Sequence, residues 1–156
     1  MYVHAHDPVR GLAVWYFGEM SDEDWAQHFA HLDELATWSR TIGKRAACVV
    51  ILGRFELPDA KRRAALAERT EQPGYDPYVA FVAPNAAALG ALTVMRWLQK
   101  KPQYESGFVS SPDEARAWLE QRRGERLAAL GRMLDDVLAR AGHAAPRAPV
   151  MQRGGA

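Results

Sequence analysis

An α/β domain on one mixed, mostly parallel five-stranded sheet is the fold class this sequence predicts, and three observations predict it. Two strand-like runs, Tyr2–His6 and Leu12–Phe17, flank Asp7-Pro8-Val9-Arg10-Gly11, a link dense in turn formers that reads as an antiparallel hairpin. Three further apolar runs follow, at Ala46–Leu52, Tyr78–Ala83 and Glu105–Val109, each separated from the last by a helical pattern, which implies parallel crossovers. Ser111-Pro112-Asp113-Glu114 combines a capping box with proline at the first helical position, a strong local start signal for a helix.

Each element has its own justification. Leu12–Phe17 reads LAVWYF, apolar at every position, as expected of a strand covered on both faces, so it should be central with Tyr2–His6 at the edge. Ser21 can cap the next helix, whose acidic first turn (Asp22, Glu23, Asp24) suits the positive end of the helix dipole. Trp25, Phe29, Leu32 and Leu35/Ala36 recur at helical spacing and predict its buried face, and Gly43 ends it. Ala46–Leu52 is again apolar on both faces. A helix from about Ala60 to Glu71 carries only Ala64, Ala65 and Leu66 as apolar positions, which predicts a surface helix. Pro73–Pro77 is a loop. Asn85 caps a helix whose stripe is Leu89, Leu92 and Met95, extended by Trp97 or Leu98, and Gly90 inside it predicts close approach to the sheet. Beyond Gly124, the apolar residues Leu127, Leu130, Leu134, Val137 and Ala141 are spaced three, four, three and four. The domain plan is therefore 1–122 for the α/β domain, 123–141 for an amphipathic helical extension, and 142–156 for a disordered Ala/Pro/Arg/Gly tail.

Composition narrows the function classes. The 156 residues suit one domain, with 48% hydrophobic and 25% charged residues as in a soluble globular protein. A net charge of +1 offers no global field for nucleic acid or acidic membranes. Cys48, the only cysteine, excludes an intramolecular disulfide and reads as a buried thiol in a reducing compartment. No secretory signal and no apolar run of membrane-spanning length is visible, so a cytoplasmic protein is expected.

WYFGEMSDEDW, the arginine-bearing DAKRRAALAER, YVAFVAPNAAALGALTVMRWL and FVSSPDEARAWL stand in an order and spacing that resembles the SpoIIAA-like branch of the STAS superfamily. That group is described jointly with CRAL-TRIO lipid-transfer domains. The resemblance covers roughly residues 10–120 and implies a ββαβαβαβα domain whose members mostly bind partners rather than catalyse. It also implies a phosphorylatable serine at the start of the helix after the third strand. This chain departs there. GRFELPDAKRR holds neither Ser nor Thr, and Pro58-Asp59 stand about where the serine would be, so the switch is not carried over. Asp59 reads as a helix cap.

Few residues suggest chemistry. His4 and His6 share a strand face, and His28 and His31 neighbour each other on a helix. Four imidazoles with Asp24 or Glu34 nearby are the residue types of a metal site, but strand and helix faces need not meet, so these are expected to be surface or boundary histidines, with no metal and no cofactor. Lys61-Arg62-Arg63 in a first helical turn can mark an anion site, or be a solvated basic face paired in part with Glu68. No phosphate loop, dinucleotide motif or nucleophile elbow occurs. The expected function is a non-enzymatic STAS-like protein-interaction module of bacterial regulatory type. Its partner surface is expected at Phe55, Leu57, Asp59, Arg62 and Arg63, where large apolar residues stand among charges. The alternative is an apolar-ligand or lipid carrier of CRAL-TRIO type, with Trp25, Trp38, Trp97, Trp118 and Phe29 as cavity-lining aromatics, which requires a cavity under the helices. The helix Glu125–Arg140 is expected either to make a homodimer through Leu127, Leu130, Leu134 and Val137 or to pack on its own domain.

Overall fold

The computed structural model describes residues 1–97, 99, 100 and 102–142. One five-stranded mixed sheet carries five helices. The strands are β1 (Tyr2–Asp7), β2 (Leu12–Phe17), β3 (Ala47–Leu52), β4 (Tyr78–Val82) and β5 (Glu105–Val109). They lie side by side in chain order, with β1 antiparallel to β2 and the remaining pairs parallel. The helices are α1 (Asp22–Ile42), α2 (Ala60–Thr70), α3 (Ala86–Trp97), α4 (Pro112–Arg123) and α5 (Ala128–Arg140).

Strand order dictates the layers. Each crossover from β2 to β5 steps to the next strand in the same direction, and right-handed connections then place α1, α2 and α3 on one face. The chain returns across the other face as α4 and α5. Side chains alternate between the faces along each strand. Ala13, Trp15, Phe17, Cys48, Val50, Leu52 and Val79 go with α1–α3. Leu12, Val14, Tyr16, Ala47, Val49, Ile51, Ala80 and Val82 go with α4 and α5. Every residue of β2 and β3 is buried, as their unbroken apolar runs require. Cys48 lies at full burial, which pushes its thiol pKa up.

Caps set the helix starts. Ser21 and Asp24 form the full reciprocal capping box, each accepting from the other's backbone N–H. At α4 Ser111 accepts from the Glu114 N–H, but the Glu114 carboxylate takes the Ser110 N–H one residue earlier. Several expected burial patterns change. In α1, His28 and Trp38 join the buried face, while Phe29 is only half-buried. In α2 the buried residues are Leu66 and Thr70, and Ala64 is exposed. In α3 Leu89 is 42% exposed, so the inward stripe is Ala88 and Leu92. Gly90 is not a point of close approach, because a Cβ built there meets nothing within 4 Å. Met95, Trp97 and Leu98 lie outside the described side chains, as residues 143–156 of the expected tail lie outside the described residues.

The C-terminal helix is a layer of the domain. Leu127, Leu130, Leu134 and Val137 are all at most 4% exposed, against β1, β2 and α4. Of the two roles expected for this seam, packing on its own domain is the one seen. Among the described residues no helix is long and apolar enough to cross a membrane.

Candidate functional site

Parallel sheets of this kind leave their loops, and the N-termini of the following helices, at the carboxyl ends of the strands. Here Gly18–Ser21 follows β2, Gly53–Asp59 follows β3, Ala83–Asn85 follows β4 and Ser110–Ser111 follows β5. Together with Leu138 and Ala141 near the end of α5, they enclose an open cleft of about 1060 Å³. A second hollow of about 210 Å³ adjoins it, between Gly18–Met20, Trp25 and Arg54–Asp59. Arg54 and Met20 line both. The floor requires glycine at 53, since a Cβ there would stand 2.1 Å from the Tyr16 hydroxyl oxygen.

The expected partner residues divide when placed in this frame. Leu57 is 45% exposed on the rim of the smaller hollow. Phe55 turns inward instead and packs against the aromatic core, its ring 6.2 Å from that of Phe17. Asp59 is the cap of α2, accepting from the Arg62 N–H at 2.8 Å. Arg62 is engaged by Asp22 and Asp59 and lies over the Trp25 ring. Arg63 donates to the Pro58 carbonyl at 2.5 Å. Neither arginine pairs with Glu68, and neither is a free anion receptor. Lys61 and Arg54 are both exposed and form no ion pair among the described residues, and of the two only Arg54 lines the hollows. Its position between Gly53 and Phe55, in the loop after β3, gave no pattern to single it out.

Beneath α1–α3 lies a narrow space of about 80 Å³, walled by Trp15, Phe17, Trp25, Tyr75, Phe81 and Tyr104 among others. Its polar lining is sparse: His28, Thr70, Gln99 and Ser106 reach it, with Arg96 at the margin. Trp38 lies in the same core layer, and Trp118 stands on the opposite face against α4's neighbours, so the five aromatics expected together do not line one cavity.

The histidines come together to a degree that spacing alone did not require. The β1 register sets Tyr2, His4 and His6 opposite Phe17, Trp15 and Ala13, on the α1 side of the sheet. One turn of α1 carries His28 inward and His31 onto the same patch. The His31 ring lies 4.3 Å from both His4 and His6, centre to centre. Tyr2 Oη ties the group, at 3.0 Å from His31 Nδ1 and 3.2 Å from His28 Nδ1. Trp15 Nε1 donates to His6 Nε2 at 2.8 Å.

Burial keeps these rings neutral. His28, only 4% exposed and not at a boundary, has its pKa lowered to about 3, by desolvation first and then by His31 and His6. His6 and His31 are each pushed down to about 4, again by burial ahead of their histidine neighbours. His4 moves the same way through burial and the nearby Arg140 guanidinium. Three neutral imidazoles in contact, with His28 joined to them through Tyr2, are a set of lone-pair donors rather than a charged patch.

Comparison with protein-family models, curated proteins and solved structures finds no match to this chain. Fold and site define a class only: a small mixed α/β domain with a cleft at the carboxyl ends of its parallel strands.

Proposed function

We propose that this chain is a non-enzymatic, STAS-like interaction module of bacterial regulatory type, a cytoplasmic protein that docks a protein partner at the carboxyl end of its sheet. The observation that carries the reading is the pair of adjoining hollows there, with Arg54 lining both and exposed Leu57 on the rim of the smaller. An apolar side chain beside a free cation suits a partner segment with an apolar anchor next to an acidic residue. The resemblance in element order supports the same reading, because such modules work through their surfaces. Asp59 occupies the place of the switch serine as an ordinary helix cap, so docking here is constitutive rather than phosphorylation-gated.

The test is affinity purification from the native cell with the full chain and two variants. Arg54→Glu combined with Leu57→Asp should lose the co-purifying partner, and Leu89→Asp, on exposed α3, should retain it. Equal retention by both variants, or equal loss, removes the carboxyl end as the docking surface.

The space under α1–α3 supports a second reading, a carrier of a small apolar ligand. At about 80 Å³ it is smaller than the roughly 150 Å³ that admits benzene in an engineered cavity. A lipid chain therefore enters only if α2 or α3 moves outward. Native mass spectrometry of the purified chain separates the readings: a retained apolar adduct supports the carrier, and a clean mass counts against it.

A further inference from the structure

Three of the chain's five histidines meet where β1 passes beside α1, away from the docking surface. We propose that His4, His6 and His31 form a binding site for one divalent transition-metal ion, with Zn²⁺ the ion they suit. One nitrogen from each ring lies within 4.8 Å of the other two. Zinc bonds of about 2.0–2.1 Å in a tetrahedral centre put ligand nitrogens about 3.4 Å apart. Closure thus needs each half-buried ring to turn inward by about 1 Å, a side-chain movement with no change of backbone. Three imidazoles select zinc, nickel or copper over magnesium and calcium, which prefer oxygen.

The surroundings orient the donors. His31 Nδ1 is held by Tyr2 Oη, leaving Nε2 free to face the other rings, and a hydrogen-bonded far nitrogen is the usual support of a ligating histidine. Tyr2 is itself fixed on its other side by His28. His4 interacts with Gln27, one helical turn before His31. The rings are only half-buried, so the fourth position is open to water or to the exposed Glu34 carboxylate, whose charge acts on His4. Arg140 opposes a cation here. Its guanidinium, however, already serves Asp136, at 3.0 and 2.8 Å, and the His4 carbonyl.

His6 supplies the signature. The Trp15 N–H donates to Nε2, which puts the His6 proton on Nδ1. A metal taking Nε2 displaces Trp15 directly. A metal taking Nδ1 sends the proton to Nε2, where it faces the Trp15 donor. Either way the Trp15 indole loses its acceptor, an event that adventitious binding elsewhere on the chain would not cause.

The experiment uses the full chain without an affinity tag, ¹⁵N-labelled and titrated with ZnCl₂ in a non-chelating buffer at neutral pH. Calorimetry should give one ion per chain with Kd of about 10 µM or tighter, and the Trp15 indole N–H resonance should move with the same saturation. His4→Ala combined with His31→Ala should weaken binding at least about tenfold, and His143→Ala should leave it unchanged. MgCl₂ should not bind. No saturable binding up to about 100 µM Zn²⁺, a Kd unchanged in the double variant, or saturation with the Trp15 resonance unmoved would each overturn the site. If the double variant does not fold, the Trp15 resonance of the unaltered chain decides alone.

Discussion

The two faces of the sheet are built from the same alternating strands yet differ in how they close. On the α4/α5 face, aliphatic strand residues meet Ala115, Leu119, Leu130 and Val137, all at 0% exposure, and Gly107 lets the Trp118 ring lie against β5. On the α1–α3 face, Trp15, Phe17 and Tyr75 meet helices that bury unequally: α1 contributes six residues, Leu32 and Leu35 among them, whereas α2 contributes Leu66 and Thr70 and, among its described side chains, α3 contributes Ala88 and Leu92. A residual space of about 80 Å³ lies on this side, walled largely by aromatic rings. The histidine cluster is there too. One face closes the fold, and the other keeps polar, titratable and incompletely packed groups next to the solvent.

Truncation breaks or sharpens this contrast most strongly. Leu130→Ala should cost about 2–5 kcal/mol, because its fully enclosed site cannot relax. Leu92→Ala, over the looser layer, should cost clearly less by denaturant unfolding, and equal losses would remove the distinction. Gly107→Ala comes next. Its Cβ would lie 2.6 Å from the Trp118 ring, which must swing away at a cost of about 1–3 kcal/mol. The contrasting change, Gly90→Ala on α3, meets nothing and should stabilise by about 0.5–1 kcal/mol. A loss there would mean that α3 is packed tightly after all.

Acid probes the aromatic face from within. The His28 pKa is about 3 in the folded chain, against about 6.5 for an unperturbed histidine. Below pH 6.5 the unfolded chain binds a proton that the folded chain refuses, so stability is full above that value and falls until about pH 3. Between pH 7 and 5 this one group should remove about 2 kcal/mol. His28→Gln should show a correspondingly smaller loss over that interval, and an identical loss would place the acid sensitivity elsewhere.

Much of the architecture was legible in the sequence because it rests on local signals. Apolar runs LAVWYF and AACVVIL could only be strands covered twice, and Ser21, Asp59 and Ser111 cap the helices they precede. What stayed hidden depends on distance in space. His4 and His6 share a face by strand geometry, but that His31 meets them depends on where α1 crosses β1, which no spacing encodes. Phe55 reads as exposed because its neighbours are charged, yet Phe17 and the core lie beneath it. The leucine seam of α5 reads equally as a self-association surface or as packing on its own domain, and its packing depends on the apolar back of β1 and β2, which no spacing encodes.

Hydrogen exchange of the full chain, followed by mass spectrometry of its peptides, tests the division between the faces most directly, since binding regions are drawn from the less stable end of a structure. Peptides of α4 and α5 should exchange slowly, together with β2 and β3, through global unfolding. Those of α2, α3 and the 53–59 loop should exchange at least about tenfold faster, through local opening. Uniform protection across both layers, or faster exchange in α4 and α5, would contradict the account.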